Sequence, residues 1–134
     1  MKSKIISLFV LYTLISCSCN DEFLGNDPDI FDDPIKMRVI NNSDHVFSQV
    51  LIVPCFNTPD ERFLDVNPSD TTDYKDYACG FAETIVEVDL QESGITLRHE
   101  SLDFVTPLAS GNYDCIIRIN DEQILEVDIQ LSQI

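Results

Sequence analysis

The sequence has no tryptophan, four glycines, two histidines and only eight Lys+Arg against 24 Asp+Glu. Each shortage excludes something. At a formal charge of −16 the chain lacks the basic face that phosphates require, so nucleic acid is excluded as a partner. Four glycines leave no Gly-rich phosphate loop. His45 lies in a polar turn and His99 beside Glu100 at a strand end, and no Gly-x-Ser-x-Gly turn offers either a nucleophile. The longest apolar stretch, Ile5–Ile15, falls well short of the roughly 20 residues that a membrane helix needs. What is present, 44% hydrophobic residues in a chain of 134, suits one packed domain with a tether and is too short for two ordinary domains.

The short apolar stretch follows Lys2 and Lys4, the arrangement of an export signal. It ends in Leu14-Ile15-Ser16-Cys17, which resembles the bacterial lipobox of an aliphatic residue, a tolerant position, a small residue and cysteine. The resemblance implies cleavage after residue 16 and acylation of Cys17, with an ordinary secretory signal as the alternative. Cys19 is a poorer candidate because no aliphatic residue stands at the matching place. Loss of the two lysines leaves six bases against 24 acids, a mature charge of −18. Two or three acyl chains would hold the protein firmly to a membrane. Ser18 stands where an aspartate would suggest inner-membrane retention, and Asn20-Asp21-Glu22 resembles the acidic export signal of Bacteroidetes surface lipoproteins. An outer-membrane protein is expected, at the cell surface or on the periplasmic face.

Residues 18–34 carry six acids, no base and two prolines, which keep such a segment extended. It would reach about 50 Å from the bilayer. Asp27, Asp29, Asp32 and Asp33 invite a calcium reading, but Pro28 and Pro34 break the register of an EF-hand loop.

From Ile35 onward the apolar period is two. It runs through Ile35–Val39, Thr84–Leu90, Ile95–Arg98, Tyr113–Ile119 and Leu125–Leu131. Val46–Val53 is apolar on both faces apart from Ser48 and Gln49, as a central strand would be. Leu64–Val66 and Thr72–Tyr77 are shorter candidates, and Asn-, Pro-, Ser- and Gly-containing turns separate the runs. Seven or eight short strands in about a hundred residues predict an all-β, antiparallel sandwich, so the organisation is signal 1–16, tether 17–34 and sandwich 35–134.

The domain holds Cys55, Cys79 and Cys115, one of which must be odd. Their loop-proximal positions favour a Cys55–Cys79 bridge, and buried free thiols are the alternative. Gly111-Asn112-Tyr113-Asp114-Cys115 is similar to the Gly-x-Tyr-x-Cys corner of immunoglobulin domains, which would instead pair Cys115 across the sandwich. The tryptophan that usually packs there is absent.

Phe56, Phe63, Tyr74, Tyr77 and Phe81 cluster in the least regular part of the chain, as core residues or as a patch that stacks on a glycan or anchors a protein. Asp70, Asp73 and Asp76 read as turn and edge charges, with calcium as the alternative. Acids are so abundant that close pairs carry no sign of glycosidase chemistry, and the Cys17-x-Cys19 pair is a weak zinc signal. Neither cofactor, metal nor catalytic residue is expected.

In order along the chain, Asn41-Asn42-Ser43, Phe47–Val50, Val66–Tyr74, Phe81–Val86, Asp103–Val105, Pro107-Leu108 and Gly111-Asn112-Tyr113 resemble the motifs of small Bacteroidetes lipoproteins with one immunoglobulin-like or prealbumin-like sandwich. Ser69 replaces the turn glycine of that pattern, and Cys79 is a departure from it. The resemblance implies the fold and no activity. A non-enzymatic binding or accessory module on the outer membrane is therefore expected, with a periplasmic assembly component that pairs through the Gln123–Leu131 edge as the alternative.

Overall fold

A computed structural model describes residues 34–56, 58–101 and 106–133. Cys17, Cys19, the acidic segment before Pro34 and Asp103–Val105 lie outside the described residues. The alternating runs become eight strands: β1 (Ile35–Asn41), β2 (Phe47–Val53), β3 (Arg62–Val66), β4 (Lys75–Tyr77), β5 (Ile85–Leu90), β6 (Thr96–His99), β7 (Gly111–Ile119) and β8 (Leu125–Leu131). They form two four-stranded sheets, ordered β4-β1-β7-β8 and β3-β2-β5-β6, which make a β-sandwich.

Side chains one residue apart point to opposite faces of a strand, so the alternation fixes which residues meet between the sheets. Ile35, Met37 and Val39 of β1, Tyr77 of β4 and Tyr113, Cys115 and Ile117 of β7 are buried from one side. Phe47, Val50 and Ile52 of β2, Phe63 and Val66 of β3 and Val86, Val88 and Leu90 of β5 are buried from the other. The register of β2 against β5 shifts between Phe47 and Gln49. That bulge at Ser48 explains why Phe47 and Val50, three residues apart, both face inward. As its two apolar faces suggest, β2 is central, between β3 and β5.

Among the described residues all strand pairings are antiparallel except one. β1 runs parallel to β7, from Ile35 opposite Gly111 to Asn41 opposite Ile117. No turn joins these strands, so their relative direction is set by closure of the sheet.

Candidate functional site

Three arrangements of polar or sulfur-bearing groups stand out, and each ties together elements distant in sequence. The first is at the end of β1. The Asn41 side chain is wholly buried, and its Nδ2 donates to the carbonyls of His45 (2.8 Å) and Val66 (3.1 Å). Its Oδ1 accepts from the Ser43 backbone N–H (3.1 Å) and hydroxyl (2.7 Å). One amide thus joins β1, the turn after it and the end of β3. Asn41 N–H also donates to Asp70 O (3.0 Å), and Ser69 N–H to Asn41 O (2.8 Å), which adds the 67–70 turn. Asn41 is buried because this amide replaces every hydrogen bond it would make to water.

The second lies on the outer face of the β4-β1-β7-β8 sheet. Arg38 and Asp114 are register partners on β1 and β7, and Arg38 Nε donates to Asp114 Oδ1 at 2.7 Å. Ser132, just past β8, donates to the same oxygen (2.6 Å) and accepts from the Tyr74 hydroxyl (3.0 Å). The Arg38 guanidinium covers the Tyr74 ring at 4.8 Å. Burial raises the Asp114 carboxyl, but the hydrogen bonds from Arg38 and Ser132, with the charge of Arg38, outweigh it and hold the group below the usual carboxylate range. A depressed carboxylate stabilises the fold above the unfolded value of about pH 4, and that contribution is lost as pH falls through the folded value. Asp114→Asn is therefore expected to lower the melting temperature near neutrality and to flatten its decline below pH 4. Parallel thermal melts from pH 7 to pH 2 read both effects.

The third is at the opposite end of β1. Cys55, past the end of β2, is bonded to Cys79, past the end of β4, with 5.9 Å between their Cα atoms. The bridge joins connections that leave different sheets. Around it Phe81 N–H donates to Pro54 O (2.9 Å), Leu108 N–H to Gly80 O (2.8 Å) and Ala82 N–H to Thr106 O (2.9 Å). The Glu83 carboxylate accepts from Thr106 N–H (2.9 Å) and hydroxyl (2.7 Å). Gly80 packs closely on β1, since a Cβ there would fall 2.1 Å from Ile35 Cδ1 and would have to push that buried side chain aside.

The favoured Cys55–Cys79 pairing is the one that forms, and the alternative pairing of Cys115 implied by the tyrosine corner is not. The corner itself forms, with the Tyr113 hydroxyl donating to Ala109 O at 2.8 Å. Cys115, however, is a free and fully buried thiol. It sits mid-strand between Val39 of β1 and Ile129 of β8, while Cys55 and Cys79 lie beyond strand ends and satisfy each other. Burial first, and the charge of Asp128 second, push the Cys115 thiol up to about 12, so it behaves as a small apolar core residue.

The aromatic patch is not brought together either. Phe63, Tyr77 and Phe81 are buried, as a chain without tryptophan requires for filling its core. The Tyr77 hydroxyl is buried with no hydrogen-bond partner among the described residues, and desolvation raises its pKa. Tyr74 is half-buried in the Arg38 network, and Phe56 is 70% exposed beside Cys55. Of the aspartates weighed for calcium, Asp70 accepts from Asn67 N–H (3.1 Å) and Nδ2 (2.9 Å), and Asp76 pairs with Lys36 at 3.0 Å. Among the described residues no group of three His, Cys, Asp or Glu could hold a metal ion. Asp27, Asp29, Asp32 and Asp33 lie outside those residues.

No protein-family model and no curated protein matches this chain. Among solved structures it is similar to the NMR structure of a protein from Eubacterium rectale. The TM-score is 0.56 at 14% identity, covering 76% of this chain and 93% of the other. At that identity the likeness concerns the fold alone.

Sequence reading missed the Asn41 clamp and the Arg38–Asp114–Ser132–Tyr74 network. For Asn41 a signal existed: an asparagine continues the inward series Ile35, Met37, Val39, where a polar residue needs partners waiting for it. For the network none did, because the pairing depends on β1 lying beside β7.

Proposed function

We propose that this protein is a lipid-anchored cell-envelope module with a non-enzymatic binding or accessory role, held at the outer membrane by acylated Cys17 and spaced from it by the acidic segment 18–34. The observation that carries this reading is the Leu14-Ile15-Ser16-Cys17 motif after a basic and apolar leader. The Cys55–Cys79 bridge supports it, because such bonds persist in exported proteins. The order of turn and corner motifs resembling small Bacteroidetes lipoproteins points the same way. Loop ends of the sandwich, including exposed Phe56, would face a glycan or protein ligand.

Cys17→Ser is expected to abolish acylation and move the protein from the membrane fraction to the soluble envelope fraction. Detergent-phase partitioning and the mass of the mature N-terminus measure this. An unchanged distribution, with no acyl mass on the parent chain, would overturn the anchor.

A second reading has an observation of its own. β8 is the last strand of its sheet and the longest strand at any sheet edge among the described residues, which favours a periplasmic assembly component that pairs through that edge.

A further inference from the structure

The four strands that end the two sheets are not equally open to a partner. β4 has three residues and β6 four, while five-residue β3 carries Asp65 in the left-handed region at φ 52°, which distorts its edge. β8 has seven residues in unbroken register with β7, and no positive φ occurs between Leu125 and Leu131.

Two hydrogen bonds fix the phase of that pairing. Asn120 N–H donates to Ile124 O (3.1 Å), and Ser132 N–H to Asn112 O (2.8 Å). In an antiparallel ladder hydrogen-bonded pairs alternate, so Glu126, Asp128 and Gln130 also bond to β7. Leu125, Val127, Ile129 and Leu131 then direct their N–H and C=O groups to the free edge. The side chains of these four belong to the inward face, and their burial fades along the strand. Leu125 is 5% exposed, Val127 and Ile129 are partly buried against the core, and Leu131 is 63% exposed. β6 approaches β8 across the same side of the sandwich and adds Leu97, partly buried, preceded by Ile95, 45% exposed.

We propose that the β8 edge takes up an extended segment of another protein whose alternate residues are apolar and basic, a specific form of the edge-pairing reading on which the proposal rests. The apolar residues would cover Val127, Ile129 and Leu131, and the basic ones would lie beside Glu126 and Asp128. Charge favours this occupant over a second copy wherever Glu126 and Asp128 of the two strands overlap. The register centred on Ile129 sets Asp128 against Gln130 and would be excluded by monomeric elution of the protein before peptide is added. A second copy added antiparallel would set Asp128 against Asp128, Glu126 against Asp128 or Glu126 against Glu126 in the in-phase registers centred between Glu126 and Asp128, and like charges directly opposite destabilise a pair. The chain's own segment 18–34 has six acids and no base, so it is repelled as well.

The test uses the full chain carrying Cys17→Ser, in neutral detergent, with three nine-residue probes. These are an alternating Lys/Val peptide, the same peptide N-methylated at alternate amides, and an alternating Glu/Val peptide. The Lys/Val peptide is expected to slow amide hydrogen exchange at least tenfold at Val127, Ile129 and Leu131, leaving the already bonded Glu126, Asp128 and Gln130 little changed. The other two peptides should leave exchange at all six of these amides unchanged. Ile129→Pro removes one edge N–H without touching the β7 ladder and should weaken the Lys/Val peptide at least tenfold, with its melting curve confirming the fold. Equal effects from the N-methylated peptide would mean charge attraction only and would overturn strand addition. Protection confined to β3 or β6 would overturn the β8 assignment and leave edge pairing standing, whereas no protection at any edge would remove both.

Discussion

Replacing Asn41 with leucine, which has as many side-chain heavy atoms but no amide, is expected to lower the melting temperature by at least about 8 °C. Four hydrogen bonds are lost from a side chain with no access to water, to His45 O, Val66 O, and the Ser43 N–H and hydroxyl. Each intramolecular bond contributes about 0.5–1.5 kcal/mol net, and a buried partner left bare costs more than the average. A total of about 2–6 kcal/mol follows, and in a domain of about a hundred residues each kcal/mol moves the midpoint by roughly 4–8 °C. Leucine is the larger residue, so no cavity opens, and the loss combines the missing hydrogen bonds with overpacking of a closed site. Amide exchange should quicken first at Ser43, His45 and the 67–70 turn, the segments that the side chain and backbone of Asn41 hold. A shift below about 4 °C would mean that backbone bonds alone secure this end of the sandwich.

Loss of the Cys55–Cys79 bridge is expected to have an effect of similar size at the other end. The cysteines are separated by 24 residues, and closing a loop of that length in the unfolded chain is worth about 3 kcal/mol in the chain-entropy account. The double variant Cys55→Ser/Cys79→Ser should therefore melt about 10–20 °C lower than the parent and should no longer respond to reductant. The parent in reductant should fall to the same midpoint. Cys115→Ala, by contrast, should leave the reductant response intact and cost only its packing, since that thiol is buried and unbonded. A reductant response that disappears with Cys115→Ala would contradict the assigned pairing.

Most of the fold could be read from the period of the apolar residues, and the reason is geometric. Burial of one face demands alternation, so Tyr113-Asp114-Cys115-Ile116-Ile117 in β7 and Ile35–Val39 in β1 declare both their strand character and their inner face. Alternation does not name a neighbour. Nothing in either segment announces that β1 lies parallel to β7, and so the Arg38–Asp114 pair was hidden although both residues were in plain view. The aromatic residues were ambiguous for a related reason. Tyr77 and Phe63 lie in short strands where too few residues alternate to fix a face, and only the packed structure puts both inside and Phe56 outside. The Gly-x-Tyr-x-Cys corner separates local from distant information. Tyr113 finds Ala109 four residues upstream, a contact that the local sequence specifies, whereas a disulfide from Cys115 would have needed a second cysteine on the facing sheet at its own depth.

The proposed function turns on where the folded domain faces, and protease shaving of intact cells addresses that directly. The domain would be followed with an antibody, alongside a soluble periplasmic protein as control. A lipid-anchored surface module predicts that the domain is lost from intact cells while the periplasmic control survives. Protection of the domain until the envelope is broken would contradict surface display and leave the periplasmic edge-pairing component in its place.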